Sequence, residues 1–137
     1  MLLKLDFASQ TPIYQQIRNQ IVLSVAEGRL PPGQRIPSMR ALADESGINM
    51  MTVNKAYQLL RQEGYLQIDR RSGARITLPS GLSENALSAL SVSASKEALR
   101  QLEPKLALLI SEARLHGISQ DAFLDLCRRI YQRQEEV

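Results

Sequence analysis

The sequence has no tryptophan, and its only aromatics are four tyrosines and two phenylalanines. A core without large rings must be built from Leu, Ile, Val and Ala, and such cores are usually helical. There is one cysteine, Cys127. A lone thiol forms no internal disulfide, and Cys127 falls on an apolar helical stripe. It is therefore expected in a core, in a reduced cytoplasmic setting. The single histidine, His116, has no neighbouring ligand candidates. One His and one Cys supply neither a zinc site nor a Cys–His catalytic pair, so no metal or cofactor is expected. No apolar stretch approaches the ~20 residues that a membrane span needs, so no membrane partner is expected. The opening Met-Leu-Leu-Lys-Leu-Asp-Phe is too short and too quickly charged for a signal peptide. At 137 residues the chain has room for one ordinary domain, or a small domain with an appendage.

What is there is unevenly placed. Residues 1–80 hold ten Lys/Arg against six Asp/Glu, whereas residues 81–137 hold seven against eight. The basic excess of the first part is what a polyanion-binding module carries, although small domains commonly have such a balance.

Thr11-Pro12 opens a first helix, with Thr11 as its N-cap, and Ile13, Ile17, Ile21 and Val25 form its apolar stripe. Gly28 ends it, and Leu30-Pro31-Pro32-Gly33 is a turn. Ser38 caps a short second helix that Gly47 stops. Asn49 caps a third, from Met50 to Glu63, in which Val53, Ala56, Tyr57 and Leu60 face the core. The period then changes from helical to alternating. Residues 65–69 and 74–78 read as a β-hairpin whose tip, Arg70-Arg71-Ser72-Gly73, is basic. The Ser-rich stretch 81–95 is a linker or a weakly helical arm. From Lys96 to Leu115 a stripe of Leu99, Leu102, Leu106, Leu109 and Ile110 predicts a helix; at Pro104 it either kinks or gives way to a new helix. Ser119 caps a last helix with Phe123, Leu126, Cys127 and Ile130 on one side.

The strongest signal is Ala43, Gly47 and Val53, at the spacing A-x3-G-x5-V. A small Ala43 lets two helices cross closely, Gly47 takes the positive φ of a tight turn, and Val53 packs back into the angle between them. The fold class that follows is mainly α, a winged helix-turn-helix with a small β-hairpin wing and a two-helix C-terminal segment. With its apolar side buried, the third helix turns Met51, Thr52, Asn54, Lys55 and Gln58 outward. Asn pairs with adenine, Lys with phosphate or guanine, and apolar side chains meet the thymine methyl. The same face could also be merely solvated, or could dock a protein partner.

These residues resemble the N-terminal winged-helix domain of GntR-family bacterial transcription regulators. The likeness runs over Thr11–Ile76, through P-I-Y-Q-Q-I-R-N-Q-I at 12–21, G-R-L-P-P-G-Q-R-I-P-S at 28–38, R-A-L-A at 40–43, T-V-N-K-A-Y-Q-L-L at 52–60 and E-G-Y-L at 63–66. The short helical tail is similar to that of the YtrA-like subfamily, where it serves dimerisation. The resemblance implies a transcriptional repressor binding a double-stranded, pseudo-palindromic operator as a homodimer. It implies phosphate contacts from Ser38 and Arg40 and base contacts from Met50, Met51, Thr52 and Asn54. Ser72 and Gly73 then fall at the wing tip. Asn49, Lys55, Arg70 and Arg71 complete the expected DNA-binding set. Many members carry Arg where Met50 and Asn54 stand, and their wing reads Gly-x-Gly-Thr where this chain has Arg71-Ser72-Gly73-Ala74.

The expected organisation is a DNA-binding domain over 1–80, the linker or arm over 81–95 and a dimerisation segment over 96–137. Two short helices bury too little surface to fold alone, so a second copy should supply the partner. The tail is also too small for a ligand cavity, so no cavity-filling effector is expected there. Asp44-Glu45 and Glu135-Glu136 lie in polar helical or terminal positions and read as solvated charge, and His116 sits at a helix end. No catalytic constellation remains, and the chain is not expected to be an enzyme.

Overall fold

The structure is a computed structural model. It describes residues 3–71, 73–79 and 96–135. Ser72 and the segment 81–95 lie outside the described residues. The chain divides into two units, one within residues 1–87 and one within 88–136.

In the first unit, helix α1 spans Ile13–Ala26. Pro12, not Thr11, occupies its N-cap, and no side chain caps it. The Pro12 carbonyl receives the N–H groups of Gln15 and Gln16 at 3.0 and 3.1 Å, while the Thr11 carbonyl accepts from Gln16 Nε2 at 2.8 Å. Strand β1, Arg35–Ile36, is a two-residue element between Gly33 and Pro37. Helix α2 spans Met39–Ser46, with the Ser38 hydroxyl oxygen accepting from the Ala41 N–H at 3.1 Å. Gly47 closes it at φ +68°, and the N–H groups of Gly47 and Ile48 both turn back to the Ala43 carbonyl. An L side chain at that φ would be strained, which is why the turn takes glycine. Helix α3, Met50–Gln62, starts at Asn49, whose side-chain oxygen accepts from the Met51 N–H at 2.8 Å.

The hairpin strands are β2, Leu66–Asp69, and β3, Gly73–Ile76. The sheet is antiparallel in the order β1-β3-β2. Its register pairs Ile36 with Ala74 and Leu66 with Ile76 over the core. It also sets Arg35 opposite Arg75, and Gln67 opposite Arg75 from the other side. Residues 77 and 78, expected in the strand, lie beyond it. There the Thr77 N–H donates to the Tyr65 carbonyl at 2.9 Å and its hydroxyl to the Gly64 carbonyl at 2.8 Å.

Ile17, Ile21 and Val25 of α1, Leu42 and Ala43 of α2, and Val53, Ala56, Tyr57 and Leu60 of α3 form the core with Leu30, Ile36, Leu66, Ala74 and Ile76. Removing these side chains from water is the main stabilising term. Tyr57 is the largest side chain fully inside, and its hydroxyl donates to the Pro37 carbonyl at 2.7 Å. Burial pushes the Tyr57 phenol well above the usual tyrosine range, with a smaller push from the Glu45 charge. On the flank, Arg18 forks onto both carboxylate oxygens of Glu63 at 3.0 and 2.7 Å and lies over the Tyr65 ring. The Glu63 hydrogen bonds raise the Arg18 pKa further.

Residues before α1 are tied down by two glutamines one helical turn apart. Gln20 accepts from the Lys4 N–H at 2.8 Å and donates to the Lys4 carbonyl. Gln16 accepts from the Asp6 N–H at 2.8 Å and donates to the Asp6 carbonyl at 2.9 Å. Leu3 and Leu5, on either side of Lys4, pack against the core.

The second unit holds helices α4, Lys96–Leu115, and α5, Gln120–Glu135. Helix α4 runs through Pro104 as one element, so no new helix begins there. His116 Nδ1 donates to the Glu112 carbonyl at 2.8 Å, Gly117 turns the chain, and the Ser119 hydroxyl oxygen caps α5 through the Ala122 N–H at 3.2 Å. Neither helix has a buried residue. The two pack little against each other and leave an open apolar groove of about 700 Å³. It is lined by Leu106, Ile110, Ala113, Phe123, Leu124 and Cys127. Cys127, expected in a core, is instead half-buried beside this groove. Among the described residues, no helix is long and apolar enough to cross a membrane.

Candidate nucleic-acid interface

Four buried residues of α3 decide which side chains can reach a ligand. Val53, Ala56, Tyr57 and Leu60 are wholly excluded from solvent. The helix is thereby locked in rotation, and its other side faces water. Met51 is the most exposed residue of its first turn, at 77% of full accessibility, with Met50 at 47%. Asn54 and Lys55 are exposed, and Thr52 is half-buried. Asn54 Oδ1 accepts from Gln58 Nε2 at 3.3 Å, a long bond that leaves the Asn54 amide N–H groups for another acceptor. Lys55 is not loose: its ammonium sits 4.1 Å from the centroid of the Tyr14 ring on α1.

The start of α2 adds Ser38 and Arg40, both exposed. The Ser38 oxygen is occupied in capping, but its O–H remains able to donate, beside backbone N–H groups that favour an anion. Asn49 is likewise engaged through its oxygen and keeps its amide N–H groups. Arg70 and Arg71 are exposed at the hairpin tip. The Arg71 N–H donates to Asp69 Oδ1 at 2.9 Å, which fixes the tip backbone and leaves both guanidinium groups outside any ion pair among the described residues. Gly73 turns at φ +74° opposite Asp69. The fold thus places Asn49, Met50, Met51, Thr52, Asn54 and Lys55 at the start of α3, next to the Gly47 turn, and Ser38 and Arg40 at the start of α2, the end away from that turn. Arg70, Arg71 and Gly73 are held on a separate projection.

This arrangement has close counterparts. Residues 12–76 match the model for bacterial regulatory proteins of the gntR family. The HTH-type transcriptional repressor YtrA of Bacillus subtilis strain 168 is 38% identical over 104 residues, which cover 74% of this chain and 75% of that protein. The chain belongs to the gntR family. Among solved structures, YtrA from Sulfolobus acidocaldarius, a GntR-family transcription factor, is 33% identical with a TM-score of 0.56. It aligns over 80% of this chain and 99% of its own. A transcriptional antiterminator from Listeria monocytogenes EGD-e has a TM-score of 0.79 at 27% identity, over 98% of this chain and 93% of its own.

As a gntR-family winged helix-turn-helix transcriptional regulator, the chain carries features around α3 that its sequence did not announce. Tyr14 was placed only in the first helix, yet it braces Lys55; the two stand 41 positions apart, and no local pattern links them. Arg35 and Arg75 become neighbours only once β1 exists. The signal for β1 was a basic–apolar pair between Gly33 and Pro37, too short for alternation to register.

Proposed function

We propose that this gntR-family regulator is a cytoplasmic repressor that reads a pseudo-palindromic operator in double-stranded DNA as a homodimer. In this reading residues 1–80 bind DNA, residues 81–95 connect, and residues 96–137 dimerise. The single observation that carries the DNA assignment is the rotational locking of α3. Four core residues on one side leave Met51, Asn54 and Lys55 on the other, directly after the Gly47 turn. Such a helix enters the major groove end-on and reads base edges with its first turns. Met50, Met51, Thr52 and Asn54 read bases; Ser38, Arg40, Asn49 and Lys55 hold the backbone. Arg70, Arg71, Ser72 and Gly73 form the wing contact. The name of the B. subtilis relative, a repressor, supports the direction of regulation.

The dimer assignment is supported by the tail. Leu99, Leu102, Leu106 and Leu109 are all exposed along one helix, and Leu106 and Ile110 line an open groove. Apolar faces of this extent are characteristic of an interface. Titration of the full chain with DNA from upstream of its own gene, and with mixed-sequence duplex, at two salt concentrations tests the reading. Tight, sequence-selective binding that weakens steeply with salt is expected. Exposed Met50 and Met51 would equally suit a protein partner, and salt-insensitive or absent DNA binding would favour that reading.

A further inference from the structure

The outer face of the sheet carries two arginines that no carboxylate among the described residues neutralises. Arg75 stands on the central strand β3, flanked by Arg35 on β1 and by Gln67 on β2. Neither arginine makes an ion pair among the described residues. Arg75 Nε is shielded from solvent and finds no hydrogen-bond acceptor there. Like charges directly opposite on paired strands repel, and a buried donor without an acceptor is destabilising. An anion with several acceptor oxygens at the exposed ends of the two guanidinium groups would relieve the repulsion, and phosphate matches the guanidinium fork. The chain path indicates which phosphate. From Arg35, β1 runs through Pro37 into Ser38 and Arg40, and β3 arrives from the tip that follows Arg70 and Arg71.

We propose that Arg35 and Arg75, with Gln67 beside them, clamp one phosphate of the DNA backbone on the outer face of the sheet. The clamp rests on the DNA-binding reading above and extends it beyond the α3 face and the hairpin tip.

The test uses the full chain and a mixed-sequence duplex, with affinity followed over a salt series. Arg35→Gln and Arg75→Gln are each expected to lower the salt slope by about 0.9, one phosphate contact, and to weaken binding about five-fold at physiological salt. The double variant is expected to lose no more than either single one, because both arginines share one phosphate. Additive losses would assign them to separate phosphates and overturn the clamp. Unchanged slopes in both single variants, with Arg71→Ala still lowering it, would overturn the clamp while leaving DNA binding intact. A wild-type chain without salt-dependent DNA binding would instead remove the reading on which it rests. Each free variant should melt at or above the wild-type temperature; lower melting would show that the pair holds the sheet together, against the proposal. Inorganic phosphate that stabilised wild type but not the double variant, with duplex slopes unchanged, would give the site to a small phosphate ligand and overturn the DNA assignment.

Discussion

The ammonium of Lys55 on α3 lies over the ring of Tyr14 on α1, 4.1 Å from its centroid. A cation on the outward side of α3 is therefore braced by a helix outside the helix-turn-helix pair. A contact of this kind at an exposed site stabilises by about 0.5–1 kcal/mol. A double-mutant cycle of Tyr14→Leu and Lys55→Met in urea unfolding should return a coupling of that size. Zero coupling would mean that Lys55 swings free in solution.

Reading and holding should separate by mutation. Asn54→Ala is expected to cost about 1–3 kcal/mol on the operator and almost nothing on random duplex, since an amide that pairs with a base edge carries sequence information. Arg71→Ala should weaken both and lower the salt slope by about one unit. Equal losses on both DNAs for Asn54→Ala would show that α3 does not read bases through this residue.

The tail offers a test in the intact chain. Leu109 is 53% exposed and lies on the apolar side of α4, so a charge there leaves the core of the first unit untouched. Leu109→Glu should yield a monomer by light scattering while thermal unfolding of the first unit is retained. Operator affinity should fall by roughly a hundred-fold or more as the two half-sites cease to act together. A variant that stays dimeric would locate the contact elsewhere.

Alkaline stability should report on Tyr57. Its phenol titrates above the ordinary range because burial opposes the charged form. A group raised in this way supports the folded state fully below its unfolded value, ~10 for tyrosine, and the support is lost as pH climbs from there through the folded value. Tyr57→Phe removes the hydrogen bond to the Pro37 carbonyl and should cost about 1 kcal/mol at neutral pH. Against that variant, wild type should lose stability more steeply above pH ~10 in chemical denaturation. Parallel alkaline profiles would mean that Tyr57 ionises without unfolding the protein.

The legible parts of the molecule were those with local causes. Val53, Ala56, Tyr57 and Leu60 follow a helical period, Ser38 and Asn49 can cap, and Gly47 alone suits its φ, so α2, α3 and their turn could be drawn from the chain. The hairpin followed from alternation on either side of Arg70-Arg71. Long-range pairings were invisible: Arg18 with Glu63, Lys55 with Tyr14, and the two residues of β1 with β3. The Thr11 cap failed because the helix begins one residue later, with Pro12 as N-cap and its carbonyl accepting from Gln15 and Gln16. In the tail the stripes were read correctly, but amphipathic period cannot say whether two helices close on each other. Here Cys127 and Ile110 line an open groove.

The glutamine ties at Lys4 and Asp6 bear on how the protein resists aggregation. A segment before the first helix with free N–H and C=O groups, and with Leu3 and Leu5 beside them, would be a ready template for strand recruitment by another chain. Gln20 and Gln16 saturate both groups of the alternate residues Lys4 and Asp6 with side-chain amides. Amides on a helix cannot pass the pairing on to a further strand. The edge is thus spent within the molecule, by two side chains whose shared side of α1 is set by their four-residue spacing.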